Sequence, residues 1–331
     1  MMKTYVILGG NGVFGVHTAF YLLQQSDTKR VICVGRNPEK PEPFTLNLGK
    51  GDPRYAYHQI HVVFEQDRLF EMLDRERPDV IVNYAAQGEG AASWKHSWRY
   101  FDTNATAIAR ITEELMSRDY MERWIQIGTS ELYGSVSTPA GENSPVLPTS
   151  PYAASKAAGD MHLISIAKTL NFRMNIIRPS NAYAPGQQLY RILPRAVVCG
   201  LSGQKLPLHG GGVAKKSYIH ARDLASAIYL VAQKAELGKI YNVGPKEPVA
   251  IRHLVELAAK EMAISFDALC DVTPPRFGED WIYWLDSTAI ETDLGWRPQI
   301  SLETGIAETV AWGRKYLNQL MAVPQTYTFH A

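Results

Sequence analysis

Near the start of the chain an apolar run, Tyr5-Val6-Ile7-Leu8, breaks at Gly9-Gly10-Asn11-Gly12-Val13-Phe14-Gly15, and an amphipathic stretch follows to about Gln25. The run reads as a buried strand and the stretch as a helix. Gly9, Gly12 and Gly15 fall at G-x-x-G-x-x-G spacing. A turn with these glycines has the backbone freedom for a tight reversal, close approach to a ligand and close helix–strand packing. The first helical N–H groups are then left without partners, which makes an anion site. At the first strand–helix junction of an α/β pattern, this unit predicts a bound dinucleotide, with Gly9, Asn11, Gly12, Val13, Phe14 and Gly15 as its cofactor-binding residues.

The rest of the chain supplies that pattern. Val31-Ile32-Cys33-Val34, Val80-Ile81-Val82-Asn83-Tyr84, Trp124-Ile125-Gln126-Ile127 and Asn175-Ile176-Ile177 read as further strands, with a helix from about Asn104 to Arg118. Continuous apolar strands between helices mean a parallel sheet covered on both faces. The stretch from Ala140 to Pro151 is rich in Pro, Ser, Gly and Asn and reads as a loop. Ser150-Pro151 then starts a helix, because Ser caps well and Pro suits the first helical position. After Arg178-Pro179 the pattern turns irregular, with Pro185, Gly186, Pro194, Pro207 and Gly210-Gly211-Gly212, while Tyr241-Asn242-Val243-Gly244 offers a brief return to the main sheet.

The expected fold class is α/β: a doubly wound parallel sheet of the Rossmann type, with a smaller mixed α/β substrate domain toward the C-terminal side. The 331 residues, 46% of them hydrophobic, accommodate both. The expected division is 1–178 plus about 215–243 for the dinucleotide domain, and 179–214 with 244–331 for the substrate domain.

Composition removes several function classes. The formal net charge is +1 and no Lys/Arg run of useful length occurs, so a nucleic-acid partner is not expected. No apolar run reaches the roughly 18–20 residues that span a bilayer. Met1-Met2-Lys3-Thr4 runs straight into the first strand without the apolar stretch of a signal peptide, so the expected setting is cytoplasmic. Cys33, Cys199 and Cys270 are scattered, which argues against a disulfide framework and against zinc, and no metal site is expected.

The second strand ends Val34-Gly35-Arg36-Asn37. An acid at such an end would bind the adenosine ribose of NAD. Gly35 leaves room and Arg36 brings a cation suited to a 2′-phosphate, so NADP is favoured with NAD possible. The competing reading makes Arg36 a solvated loop cation that stacks on adenine.

Tyr152-Ala153-Ala154-Ser155-Lys156 places a phenol and an ammonium one helical turn apart on one face. A nearby Lys⁺ and a cationic nicotinamide ring would lower the phenol pKa and make it a base for a substrate hydroxyl. The pair follows the fifth strand, which runs out into Gly128-Thr129-Ser130-Glu131-Leu132-Tyr133-Gly134.

Together with Ala85-Ala86-Gln87, Arg178-Pro179-Ser180-Asn181-Ala182-Tyr183-Ala184-Pro185, Tyr218-Ile219-His220-Ala221-Arg222-Asp223 and Leu294-Gly295-Trp296, these segments resemble the extended short-chain dehydrogenase/reductase family over nearly the whole chain. Within it, Thr129-Ser130-Glu131 is similar to the nucleotide-sugar 4,6-dehydratase/epimerase group, most of all to GDP-mannose 4,6-dehydratase-like enzymes. The dTDP-glucose branch usually has Asp in place of Ser130, and sugar-nucleotide decarboxylases also carry a Thr-Ser-Glu segment.

The resemblance implies transient oxidation at sugar C4 by Tyr152 and Lys156, with Thr129 on the C4 oxygen, Glu131 as base at C5 and Ser130 in support. It implies that Ala85, Ala86 and Gln87 border the cofactor. It further implies that a nucleotide-diphosphate sugar meets Glu89, Ser93, Asn181, Lys216 and Arg276, and that the chain forms a homodimer through the helices near Asn104–Ser117 and Pro151–Leu170. Departures are present as well. Gly88-Glu89-Gly90 stands where the family often has His and a β-branched residue, so Glu89 is open to a role as a second acid or base. The acid expected near the third strand end is not evident around Ile60-His61-Val62. Alternatives are an epimerase, which returns hydride to the other face of C4 and needs no Glu, a decarboxylase, and a noncatalytic cofactor-sensing protein.

Overall fold

The computed structural model describes residues 2–275 and 280–327. Its main sheet has seven parallel strands: β1 (Lys3–Leu8), β2 (Thr28–Gly35), β3 (Tyr55–Gln59), β4 (Val80–Asn83), β5 (Arg123–Ile127), β6 (Met174–Pro179) and β7 (Ile240–Val243). They lie in the order β7-β6-β5-β4-β1-β2-β3. Val6, Leu8, Ile81 and Ile176 point to one buried face, and Tyr5, Ile7, Val82 and Ile177 to the other. Burial on both faces is why the inner strands read as unbroken apolar runs rather than as alternations. Each such side chain withdrawn from water contributes about 1.5–3 kcal/mol.

Helices follow in chain order: α1 (Val13–Leu23), α2 (Gln66–Glu76), α3 (Ala107–Leu115), α4 (Pro151–Leu170), α5 (Ile192–Ser202), α6 (Ala221–Lys234), α7 (Ile251–Glu261) and α8 (Leu302–Met321). One face of the sheet is covered by α2, α3 and α4 through Leu69, Leu73, Ile108, Ile111 and Leu163. The other is covered by α1 and α6 through Ala19, Leu22, Leu224, Ile228 and Val231. This is the doubly wound architecture expected from the sequence. The strand order reverses between β1 and β4, and the crevice outside their carboxyl ends is where such sheets bind ligands.

Toward the C-terminus, short strands carry a third core. Asn181–Tyr183 pairs with Tyr218–His220, Leu206–His209 pairs with Cys270–Thr273, and Lys215–Lys216 lies between Val249–Ala250 and Ile282–Tyr283. Leu193, Val197, Leu254, Ala258 and Val310 of α5, α7 and α8 pack there. The segment around Tyr241 does return to the main sheet, with Tyr241 opposite Ile177.

One boundary differs from the sequence expectation. The helix expected from about Asn104 begins earlier, as Ser97–Phe101, passes through a π-helical turn, Asp102–Thr106, and only then becomes α3. Asn104, fully buried inside that turn, spends its side chain on the Gln87 backbone, accepting from Gln87 N at 2.9 Å and donating to Gln87 O at 3.1 Å. π-Turns often mark such functional departures.

Candidate active site

The glycine turn divides its labour. Gly9 has φ +79°, and a side chain on it would meet the Ala85 backbone nitrogen at 2.7 Å. A side chain on Gly15 would meet Gly10 Cα at 2.7 Å. Those two serve the close passage of α1 over the sheet. Gly12 is the N-cap of α1 and brings no side-chain cap, so the first-turn N–H groups stay open. Gly12, Val13 and Phe14 line a cleft of about 410 Å³ that also contains Ala86, Glu89, Thr129, Ser130, Glu131, Tyr152, Lys156, Asn181 and Lys216. An uncapped helix start facing a cleft fits a diphosphate.

Asn11 is a brace. Its Nδ2 donates to Pro38 O at 2.9 Å and its Oδ1 accepts from Lys40 N at 3.0 Å, which binds the glycine turn to the segment after β2. That segment carries Arg36 and Lys40. Burial lowers both pKa values, that of Lys40 to about 8 with Arg36 adding to the effect. Among the described residues neither forms an ion pair with a carboxylate. Gly35 has its own packing reason, since a side chain there would meet the Tyr57 hydroxyl at 2.5 Å.

Tyr152 and Lys156 are placed by the start of α4. Ser150 Oγ accepts from Ala153 N at 3.1 Å and Pro151 occupies the first helical position, as the sequence predicts. Lys156 is 3% exposed and donates from Nζ to the Ile127 carbonyl at 2.6 Å, which aims it at the end of β5. Burial lowers its pKa to about 8. In the Tyr152 phenol, burial first, and then Glu131, raise the pKa above its ordinary value, while a hydrogen bond with Thr129 and the charge of Arg191 pull it back. Lys156 uses one of its three ammonium donors on Ile127, while Thr129 and Arg191 favour the ionised phenol.

Thr129 Oγ1 accepts from Glu131 N at 3.2 Å and so caps the short helical turn Ser130–Tyr133, which presents Glu131 to the cleft. The Glu131 pKa is raised by burial, an effect opposed by Lys216 and Arg191 and reinforced by Glu89 and Asp280. Ser130 is buried in the same turn.

Beneath it lies an ionic brace. Arg178 Nε donates to Asp160 Oδ2 at 3.0 Å, Arg178 Nη1 to the Tyr133 hydroxyl at 2.8 Å, and that hydroxyl to Asn242 Oδ1 at 2.9 Å. The network joins α4, β6 and β7 under the Thr129–Glu131 segment.

On the substrate side, Arg191 was not singled out by sequence reasoning; it sits in an irregular stretch with no motif to mark it. It donates to Gly88 O at 2.6 Å and stands 3.6 Å from the Glu89 carboxylate. Lys216 is 7% exposed, donates to Asp280 O at 2.9 Å and lies 3.4 Å from the centre of the Tyr283 ring. It faces Glu131 rather than open solvent. Ser93 is fully buried in the turn Ala91–Trp94 and donates to the Gly90 carbonyl at 2.6 Å. Ala85 N is held by Asn83 Oδ1 at 3.1 Å, and Gln87 is 5% exposed. Arg276 lies outside the described residues.

Fold and site together define a nicotinamide-dependent enzyme of the extended short-chain dehydrogenase type. A family model described as the NAD dependent epimerase/dehydratase family matches residues 5–244, and the chain belongs to that family. It is 33% identical over 237 residues to a dTDP-glucose 4,6-dehydratase of Streptomyces niveus, covering 71% of this chain and 70% of the relative. It is 30% identical over 324 residues to a dTDP-D-glucose 4,6-dehydratase of Mus musculus, covering 95% and 89%. The solved dTDP-glucose 4,6-dehydratase of Streptomyces venezuelae with NAD bound superposes with a TM-score of 0.88 at 28% identity, covering 96% of this chain and 98% of that one. These relatives agree with the nucleotide-sugar 4,6-dehydratase expected from the sequence. Their names carry dTDP-glucose, whereas Ser130 departs from that branch.

Proposed function

We propose that this chain removes water from a nucleotide-diphosphate hexose to give the 4-keto-6-deoxy product. The observation that carries the reading is the presence of the Glu131 carboxyl in the same cleft as the Thr129–Tyr152 pair. An epimerase acting at C4 has no use for that carboxyl. A nicotinamide dinucleotide held at Gly12, Val13 and Phe14 beside Tyr152 and Lys156 would supply the hydride acceptor for C4–H and the hydride that C6 takes back.

Tyr152 accepts the proton of the C4 hydroxyl, and Thr129 steadies the oxygen by hydrogen bonding. The resulting ketone acidifies C5–H. Glu131, ionised, takes that proton; its pKa, raised by burial, makes it a stronger base than a solvated carboxylate. The electron pair forms the C5–C6 double bond as the C6 hydroxyl takes the proton from Glu131 and departs as water. C5 is then protonated by a solvent-exchanged proton, equivalent to the one Tyr152 took from the C4 hydroxyl, and because the hydride taken at C4 goes back to C6 the reaction is redox-neutral overall. Lys216 and Arg191 keep Glu131 ionisable, and Asn181 and Lys216 are the groups we assign to the nucleotide diphosphate, with Glu89 at the sugar.

The same reading extends to the cofactor, the setting and the assembly. Arg36 and Lys40, half-enclosed cations without a carboxylate partner among the described residues, support NADP over NAD. Cofactor titration of stripped protein tests this, with tighter NADP binding expected and equal or tighter NAD binding counting against it. Free Cys33, Cys199 and Cys270 agree with a reducing, cytoplasmic setting. Among the described residues no helix is long and apolar enough to cross a membrane. Exposed Trp98, Phe101, Met116 and Met161, on or beside the helices that run from Ser97 to Leu115 and along α4, support a homodimer through that face. The domain reading assigns 1–178 with about 215–243 to the cofactor and the remainder to the nucleotide sugar.

The test is a mass-spectrometric screen of GDP-, dTDP-, UDP- and CDP-hexoses with purified protein. Loss of one water supports the dehydratase. Unchanged mass with inversion at C4, or loss of CO₂ from a uronate, refutes it.

A further inference from the structure

Beyond α8 the chain turns back past α5 toward the end of the main sheet, beside Tyr190, which lines the cleft. Val323 donates its N–H to Leu320 O at 3.1 Å and packs beside Leu189, Val198 and Trp312. Gln325 Oε1 meets Cys199 Sγ of α5 at 3.8 Å. Tyr327 then reaches the main sheet, where its hydroxyl donates to Gln87 Oε1 at 3.1 Å. Its ring meets Tyr190 edge-on, with centroids 5.2 Å apart at 84°. The Tyr100 phenol is a further hydrogen-bonding neighbour, and Arg36 lies within electrostatic reach.

Two of the groups Tyr327 meets, Gln87 and Tyr190, come from separate parts of the fold. Gln87, locked by Asn104, and Arg36 stand at the end of the main sheet, on the cofactor side. Tyr190 stands on the substrate side, directly before Arg191, which holds Gly88 and Glu89. Segments near a chain terminus normally fray; here the half-buried Tyr327 is held by Gln87 and Tyr190. Because the phenol donates to Gln87, the amide N–H groups of Gln87 are left as donors.

We propose that residues 322–327 are a strap that closes the dinucleotide cleft, with Tyr327 as the residue that positions Gln87 and retains the cofactor. The proposal rests on the dinucleotide reading above. A redox-neutral reaction does not exchange its cofactor at each turnover, so a strap that slows its escape does not slow product formation. Closing segments of this kind are common where an active site must be sealed and reopened.

The test compares wild-type protein, Tyr327→Phe and a chain ending at Val323. Release of bound dinucleotide is followed by stopped-flow fluorescence during a chase with excess competitor, and amide hydrogen exchange of segments 85–89 and 186–192 is followed without cofactor. The shortened chain should release cofactor at least about tenfold faster and Tyr327→Phe about threefold faster, the scale of one or two hydrogen bonds. Both segments should exchange faster in the shortened chain, at a cooperative unfolding midpoint close to wild type. Unchanged release, or slower release after truncation, overturns the strap; the latter would make the tail a plug. If wild-type protein binds neither NAD nor NADP, the cofactor reading fails, and the exchange measurement alone decides the strap: unchanged protection of 85–89 and 186–192 overturns it.

Discussion

Asp160→Asn removes one charge from an ion pair that water does not reach. The Arg178 and Asp160 side chains are 2% and 0% exposed, and Arg178 Nε lies 3.0 Å from Asp160 Oδ2. Asn preserves the volume, so no cavity opens. The guanidinium keeps only neutral partners, the Tyr133 hydroxyl at 2.8 Å and Glu142 O at 3.3 Å. Breaking a buried pair from one side costs about 3–5 kcal/mol, a large share of the roughly 5–15 kcal/mol that holds a typical protein folded. At about 2 °C per kcal/mol for a chain of this size, the midpoint falls by roughly 6–10 °C. Activity should fall at temperatures where the variant is still folded, because a side chain at Gly128, directly before Thr129, would sit 3.0 Å from Arg178 Cγ and 3.2 Å from Asp160 Oδ2. The brace therefore supports the segment that presents Thr129 and Glu131. Thermal and urea unfolding followed by circular dichroism, on Asp160→Asn, Arg178→Met and the double variant, checks the estimate. The double variant should lose less than the sum of the two singles. A loss below about 1 kcal/mol for Asp160→Asn, or simple additivity, refutes the reasoning.

Other outcomes follow from the same geometry. Tyr152→Phe should leave the fold intact and lower turnover by at least about 10²-fold, as should Lys156→Ala; near-normal turnover of Tyr152→Phe with cofactor bound would remove the phenol from the chemistry. The pH profile of kcat should be a bell. Glu131 must be ionised, so the acid limb falls as pH drops through a pKa raised above the ordinary carboxylate value by burial. Lys156, lowered to about 8, loses its charge as pH rises through that value, which sets the alkaline limb. Lys156→Arg should move that limb upward, and an unmoved limb would assign it to another group. Gly159→Ala would place a methyl 2.2 Å from the Asn104 carbonyl oxygen. Forcing the π-turn away from α4 should cost about 1–3 kcal/mol in urea unfolding and loosen Gln87.

Inner strands and the glycine turn were legible because burial on both faces and a turn of special geometry leave marks on adjacent residues. β3 was harder: Tyr55-Ala56-Tyr57-His58-Gln59 is a sheet edge, half-exposed, and presents no apolar run. Tyr152, Lys156, Thr129 and Glu131 were readable because they sit at the end of a strand and the start of a capped helix. Arg191, Asn104 and Asp160 were not, since each acts on residues 17 to 103 positions away. One-turn spacing put Lys156 beside Tyr152, and three-dimensional packing adds that its ammonium also donates to the Ile127 carbonyl. Tyr327 lies in a terminal stretch of unremarkable composition, and its role depends wholly on where α8 ends.

The central claim is that Glu131 exchanges the C5 proton while the hydrogen taken from C4 is conserved within the sugar. It is tested by running the wild-type reaction on a nucleotide hexose deuterated at C4 in ordinary water, and on unlabelled substrate in D₂O, with the product examined by NMR and mass spectrometry. The account requires the C4 deuterium at C6 of the first product and one solvent deuterium at C5 of the second, with Glu131→Gln forming neither product at a comparable rate. A product of unchanged mass, inverted at C4 and free of deuterium at C5, would contradict it.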